Sequence, residues 1–361
     1  MNNAPSPFSC TFTPNIPELL NRLNCTIAIS TYQAGKIVFL SAKNDEELIQ
    51  LPRTFNKAMG ITLQGDKMAI ATKDEVIILV NSQGLAQSYP KQPGVYDGLF
   101  MPQAVYYTGQ IDIHDLHWGD EGLWAVNTSF SCLVLINEEY HFMPKWKPAF
   151  ISNLASEDRC HLNGMAIIDG KPKYVTTFGN GDSPQSWREN ITKTGMVIDI
   201  GSGEEILTNL PMPHSPRFYD GKLYLLLSAT GEVICAEPEK GRYEVVSDLS
   251  GFVRGMAKYS DYLFIGLSRL RKNSSTFKHL SIADKALNAG IKILHLPTGG
   301  YVGEIKYQST VDEIYDVQII PDIKRPGILN TYRDDYKKGL SVPGATYWAV
   351  KKEHDQEKLK K

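Results

Sequence analysis

The chain has 361 residues, 42% of them hydrophobic and 22% charged, with a net charge of -2. A balanced charge gives no global attraction to nucleic acid or an anionic membrane, and no window approaches the ~18 consecutive apolar residues of a membrane-crossing helix. Five scattered cysteines that match no zinc spacing, and an N-terminus without a basic, apolar leader, predict reduced thiols in a cytoplasmic protein. Residues 1–28 read as an extended lead-in with a short helix. Asn15 stands at its N-cap, Pro17 lies in its first turn, and Leu19, Leu20 and Leu23 form one apolar side. From 29 to 350 the pattern is almost purely β, with short runs at 36–42, 68–72, 76–80, 133–136, 197–200, 223–227, 262–267 and 291–296. The charged segment 351–361 lacks apolar periodicity and predicts a disordered tail.

One motif recurs through the β region and changes its leading polar residue each time. The copies begin at Lys57, His114, Asn163, His214, Arg254 and Tyr315, and most are followed by a tight turn and an apolar run. A hairpin rewritten every roughly 40 to 60 residues is the sequence signature of a propeller. The expected fold class is all-β, a six-bladed β-propeller, with blades starting near 53, 111, 160, 212, 251 and 312. Strands at about 29–51 precede the first copy and would complete the last blade, which removes the exposed edges of an open ring. Three stretches, 89–110, 178–194 and 269–290, exceed plain turns, the last with a predicted helix over 277–288. In up-and-down blades all three would emerge on the face that carries the motif heads, so they predict a lidded pocket. Its walls are expected in 96–107, 183–188 and 271–279.

The segment 161–177 (HLNGMAIIDGKPKYVTT) resembles the signature of gluconolactonase-like six-bladed propellers, and 252–268 repeats its shape with Arg254 in place of the Asn. DIHDLHW, CHLNGMA, MPHSPRFYDGKLYLL, GFVRGMA and EIYDVQ, in this order, are similar to a bacterial propeller family of conserved hypothetical proteins across residues 29–350. The resemblance implies a fold. In gluconolactonases it further implies a divalent metal on the axis, held by carboxylate and Asn oxygens. Asn163 matches the motif Asn, whereas His214 and Arg254 depart from an oxygen-only site.

The motif heads, and the residues two positions upstream on the same strand face, would converge on the axis. Four of the eight histidines (His114, His117, His161 and His214) fall within these strand heads. His114, His161 and His214 are the candidate metal ligands, and imidazole with carboxylate suits Zn or Fe among divalent transition metals. Asp316 and Glu313 are candidate general bases, Tyr315 a proton donor, and Arg254 an anion clamp. Asn163, Lys57 and Trp187 join Arg254 as candidate substrate contacts. His117, of the other parity, is assigned to an inter-blade or supporting position, and Cys160 to the structure. The expected function is a metal-assisted hydrolase, lyase or oxygenase acting on a small or peptide-like, anionic substrate. The alternative is a binding propeller without chemistry, since axial polar residues also serve to cap strands. Homo-oligomerisation stays open.

Overall fold

The computed structural model describes residues 5–270, 277 and 279–349. The β-rich runs form six antiparallel sheets around an axis, so the protein is a six-bladed propeller. Blade one spans strands Ile61–Gln64 to Gly98–Tyr107, blade two Ile113–Gly119 to Met143–Trp146, and blade three Gly164–Ile168 to Glu205–Leu210. Blade four spans Pro213–Tyr219 to Arg242–Asp248, and blade five Phe252–Tyr259 to Gly300–Tyr307. Blade six takes its innermost strand, Asp316–Pro321, from the end of the propeller and the other three, Cys25–Thr31, Lys36–Ala42 and Leu48–Thr54, from the beginning. Cys25 to Ser30 pair in register with Pro321 to Asp316, closing the ring as the sequence predicts.

Sequence explains the stacking of blades on one another. The inner strands carry glycine or a short acceptor just past the motif head, in alternation. A Cβ on Gly60, Gly164 or Gly255 would lie 3.1 Å or less from Asp115, Pro216 or Asp316 of the next blade, so only glycine allows this approach. At the other three junctions a side chain accepts from the next blade's backbone. Asp115 Oδ2 takes Met165 N–H (3.1 Å), Ser215 Oγ takes Gly255 N–H (3.0 Å) and Asp316 Oδ2 takes Ile61 N–H (2.9 Å). Apolar residues on alternate strand positions fill the spaces between blades in separate clusters.

Helix Ile16–Leu23 forms where expected, with Leu19 and Leu20 buried against blade five and six residues. Asn15 occupies the N-cap, but its side chain donates to Val302 O at 3.1 Å instead of capping the helix.

Two expectations are corrected. Residues 89–110 are not an insertion before blade two, because Gly98–Tyr107 is the ten-residue outer strand of blade one. The long connection is 82–97, between strands three and four, and it leaves the blade at the end opposite the motif heads. Its apolar residues Leu85, Tyr89 and Tyr96 pack with Leu329 and Trp348. The helix predicted over 277–288 is absent among the described residues, where the segment runs as successive turns. Two elements past the ring were not foreseen: Pro326–Ile328 adds a parallel strand to blade one, and Gly339–Val342 pairs with Ala345–Trp348 as a hairpin. The expected tail 351–361 lies outside the described residues.

Candidate functional site

At the motif-head end of the axis lies a cavity of about 680 Å³. Below it the axis is closed by charge. Arg217 of blade four donates to both oxygens of Asp115 of blade two (2.8 and 3.0 Å) and lies 3.8 Å from Asp316 Oδ1 of blade six. Asp115, Arg217 and Asp316 are all at most 5% exposed, and bulges at the strand heads of blades two and four bring Asp115 and Arg217 together. The bidentate guanidinium holds the Asp115 carboxyl well below the ordinary carboxylate range, although burial alone would raise it. Asp316 faces the same guanidinium at longer range, and burial pushes its carboxyl up to about 6. His117 Nε2 sits 3.4 Å from Asp115 Oδ1 on the same strand.

This arrangement relocates several predicted site residues. Asp316 is not at the cavity surface, since its oxygens accept from Ile61 N–H and Val317 N–H beneath the floor. Asn163 is likewise buried under it, accepting from Thr176 Oγ1 (2.7 Å) and donating to His161 O. Lys57 donates to Tyr32 Oη at 3.2 Å and stays off the lining, while Tyr32 reaches it. The expected wall from 96–107 is missing for the topological reason given above. The wall from 183–188 is present through Pro184, Gln185, Trp187 and Arg188. Of 271–279, Phe277 lines the cavity, and 271–276 and 278 lie outside the described residues.

His114, His161, His214, Arg254, Glu313, Tyr315 and Trp187 do share the cavity. Ring centroids step from His114 to His161 (4.8 Å), to Phe178 (4.6 Å), to His214 (4.9 Å), within the ~15 Å that sharing a ligand requires. The upstream residues arrive differently from the period-two reading. Asp112, His161 and Met212 have left-handed backbone (φ 56°, 50° and 57°) and sit just before the strands begin.

Hydrogen bonds assign the imidazole tautomers. His114 Nδ1 donates to Asp112 O (3.1 Å), and His161 Nδ1 to both oxygens of Asp158 (3.1 Å each). Ser228 Oγ donates to Val253 O, so it accepts from His214 Nδ1 at 2.7 Å. All three rings therefore keep Nε2 as the acceptor. Burial holds His114 down to about 4 and His214 well below the ordinary range, so both are neutral at physiological pH. His214 Nε2 and Tyr315 Oη are buried with no hydrogen-bond partner among the described residues. Arg254 stacks on Tyr315, its guanidinium carbon 3.4 Å from the ring centroid, and lies 3.8 Å from Glu313.

Three Nε2 lone pairs are the right kind of donor for the expected Zn or Fe. Their placement does not meet the requirement: among the described residues no three His, Cys, Asp or Glu groups are arranged to hold a metal ion. His114 and His161 meet edge to face, and Phe178 separates His161 from His214.

Sequence reasoning missed Asp158. It lies in the connection 147–163, and its carboxylate orients His161 while accepting from Trp187 Nε1 (3.1 Å). The signal available was an Asp three residues before a motif histidine in a connection too long for a turn. Cys160 is fully buried and its thiol is pushed up to about 12, in keeping with a structural role.

Fold and site together define a six-bladed propeller with an aromatic-walled axial cavity above a buried charge lock. Residues 14–329 match the family described as Domain of unknown function (DUF4915), and the chain belongs to that family. No curated protein matches it, and similarity to gluconolactonases is not shown. Among solved structures it is similar to a chain of a nidogen/laminin complex (10% identity, TM-score 0.49, covering 82% of this chain and 99% of that one). It is also similar to the Neurospora crassa Pan2 WD40 domain (12% identity, TM-score 0.40, covering 68% and 64%). Among the described residues no helix is long and apolar enough to cross a membrane.

Proposed function

We propose that the axial cavity is an active site in which His161 is the general base for hydrolysis or elimination on a small anionic substrate. The observation that carries this reading is the Asp158–His161 pair. A carboxylate on Nδ1–H fixes the tautomer, leaves the Nε2 lone pair to the cavity and stabilises the imidazolium formed on proton uptake. Phe178 and Trp187, with centroids 4.6 and 4.3 Å from the imidazole, hold its plane. Arg254 binds the anionic group of the substrate, with Glu313 and the Tyr315 ring fixing the guanidinium. The Tyr315 hydroxyl, whose pKa burial raises well above its ordinary value, donates to a substrate oxygen.

The test is turnover. The protein is incubated with lactones, carboxylate esters and β-substituted carboxylic acids, and products are read by proton NMR. Wild type turns over one class, and His161→Gln lowers kcat about 10²- to 10⁴-fold. Undiminished turnover in that variant sinks the proposal.

A metal-assisted version is favoured only by the three Nε2 acceptors. Metal analysis of untagged protein reads it directly. Stoichiometric Zn or Fe, lost in His114→Ala and His214→Ala, would support that version.

A further inference from the structure

The cavity's lining holds two groups that a ligand could use, buried hydrogen-bonding side chains at its inner end and a cluster of rings. On one side Phe178, Trp187, Met212 and Phe252 are each at most 7% exposed and form one cluster, with Phe277 packed against it. They come from blades three to five and from both true insertions, so the wall exists only in the assembled ring. At the inner end stand Arg254, Tyr315 and His214. Arg254 is held by a ring stack and a 3.8 Å ion pair, and it makes no hydrogen bond among the described residues, so its guanidinium donors are available. Tyr315 Oη is buried without a hydrogen-bond partner among the described residues and can donate. His214 Nε2 is likewise buried without one among the described residues and, by its tautomer, accepts. Buried polar groups left in this state are costly unless a ligand or water meets them.

The charges decide how many anionic groups the ligand carries. Asp112, Glu157, Asp158 and Glu313 line the cavity, against Arg188 and Arg254 among the described residues. Glu157 is 2.7 Å from Arg159 Nε, and Asp158 serves His161 and Trp187. A second anionic group placed away from Arg254 would meet these carboxylates. A ligand that was cationic at its inner end would meet Arg254.

From this division we propose that the cavity binds an aryl-substituted 2-hydroxy carboxylate. The carboxylate lies on Arg254 and Tyr315 Oη. The hydroxyl donates to His214 Nε2, and the aromatic ring stacks among Phe178, Phe252 and Phe277. This rests on the reading of the cavity as a substrate site and names the substrate class, but its test needs no turnover.

Isothermal titration of the full chain with 3-phenyllactate, its amide, lactate and phenethylamine separates the contributions. 3-Phenyllactate binds at least about tenfold tighter than the amide, which lacks the charge for Arg254, and than lactate, which lacks the ring. Arg254→Gln reduces the preference for acid over amide to within about twofold. Phe277→Leu, at a partly exposed position that leaves the buried wall intact, narrows the preference over lactate. Binding is read by titration without turnover, so these preferences intact with no turnover of any substrate would fail the catalytic reading alone, and failure of the two readings is told apart. Equal affinity for acid and amide, equal affinity for lactate, tighter binding of phenethylamine, or no binding of 3-phenyllactate would each overturn the proposal.

Discussion

Arg217 is the residue on which the axis depends. Its guanidinium joins blades two, four and six, and all three members of the group are nearly water-free. Removing one partner of a buried ion pair strands the others, so Arg217→Met is expected to cost about 3–5 kcal/mol in urea unfolding. Adding Asp115→Leu should recover part of that loss, because the uncompensated carboxylate goes with it. A single variant within 1 kcal/mol of wild type, to order of magnitude, would show that the lock is dispensable. His114 supplies a pH prediction. Its pKa is about 4 folded against 6.5 ordinarily, so the unfolded chain takes up the proton first and stability falls as pH drops from 6.5 to about 4. The loss is about 3 kcal/mol for a shift of this size. His214 acts in the same direction. Asp316, raised from 3.8 to about 6, acts oppositely: its contribution is full below 3.8 and disappears as pH rises to about 6. His114→Gln should therefore lose less stability between pH 7 and pH 4.5 than wild type does. An equal loss in both proteins would remove His114 from the account.

At the scale of the strand, the motif is a packing rule as well as a ring of polar heads. Glycine at 60, 164 and 255 alternates with acceptors at 115, 215 and 316, and each junction uses one device or the other. Gly255 is constrained twice over. Its φ is +76°, and a Cβ would lie 2.7 Å from Asp316 Cα, against backbone that has no freedom to move. Gly255→Ala is thus expected to destabilise by about 2 kcal/mol or more, combining left-handed strain with overpacking. Gly221, also at positive φ but with open space around its Cβ, should lose less on the same change, because only the strain applies. Comparable midpoints for the two variants in thermal unfolding would refute the packing argument. The insertions work at this scale as well. The 178–194 segment leaves strand Lys171–Thr177 and brings Phe178, Trp187 and Arg188 to one cavity wall.

For the whole molecule, closure of the ring is the decisive event. Strand Asp316–Pro321 pairs with Cys25–Thr31, a contact nearly the full length of the propeller apart in sequence. Such long-range pairing is rewarded only after most of the chain is ordered. A chain ending at residue 314 would leave blade six without its inner strand, Asp115 and Arg217 without their third partner, and the edge of Cys25–Thr31 open. It is expected to lose cooperative unfolding and to aggregate on size-exclusion chromatography. A monomeric, cooperatively folding truncation would show that closure is not required.

The sequence alone determined the blade count, the closing device, the short N-terminal helix and the end of the axis at which the cavity lies. These follow from hairpin patterns and turn residues, which are local and recur in each blade. It also singled out His114, His161, His214, Arg254 and Tyr315, because a repeating motif marks equivalent positions however far apart they lie. The tertiary structure alone decided which of them meet. A strand-head bulge of one residue sends Asp115 below the floor, and left-handed backbone at His161 brings it in from outside its strand, where period-two reasoning does not apply. The misplacement of 89–110 has a similar origin, since turn-forming residues at 89–97 hid the start of a strand that takes its register from its neighbour. Asp158 carries only a weak mark in the sequence, its position three residues before a motif histidine. Its role depends on where a long connection lands, and that is set by packing against Trp187 and His161.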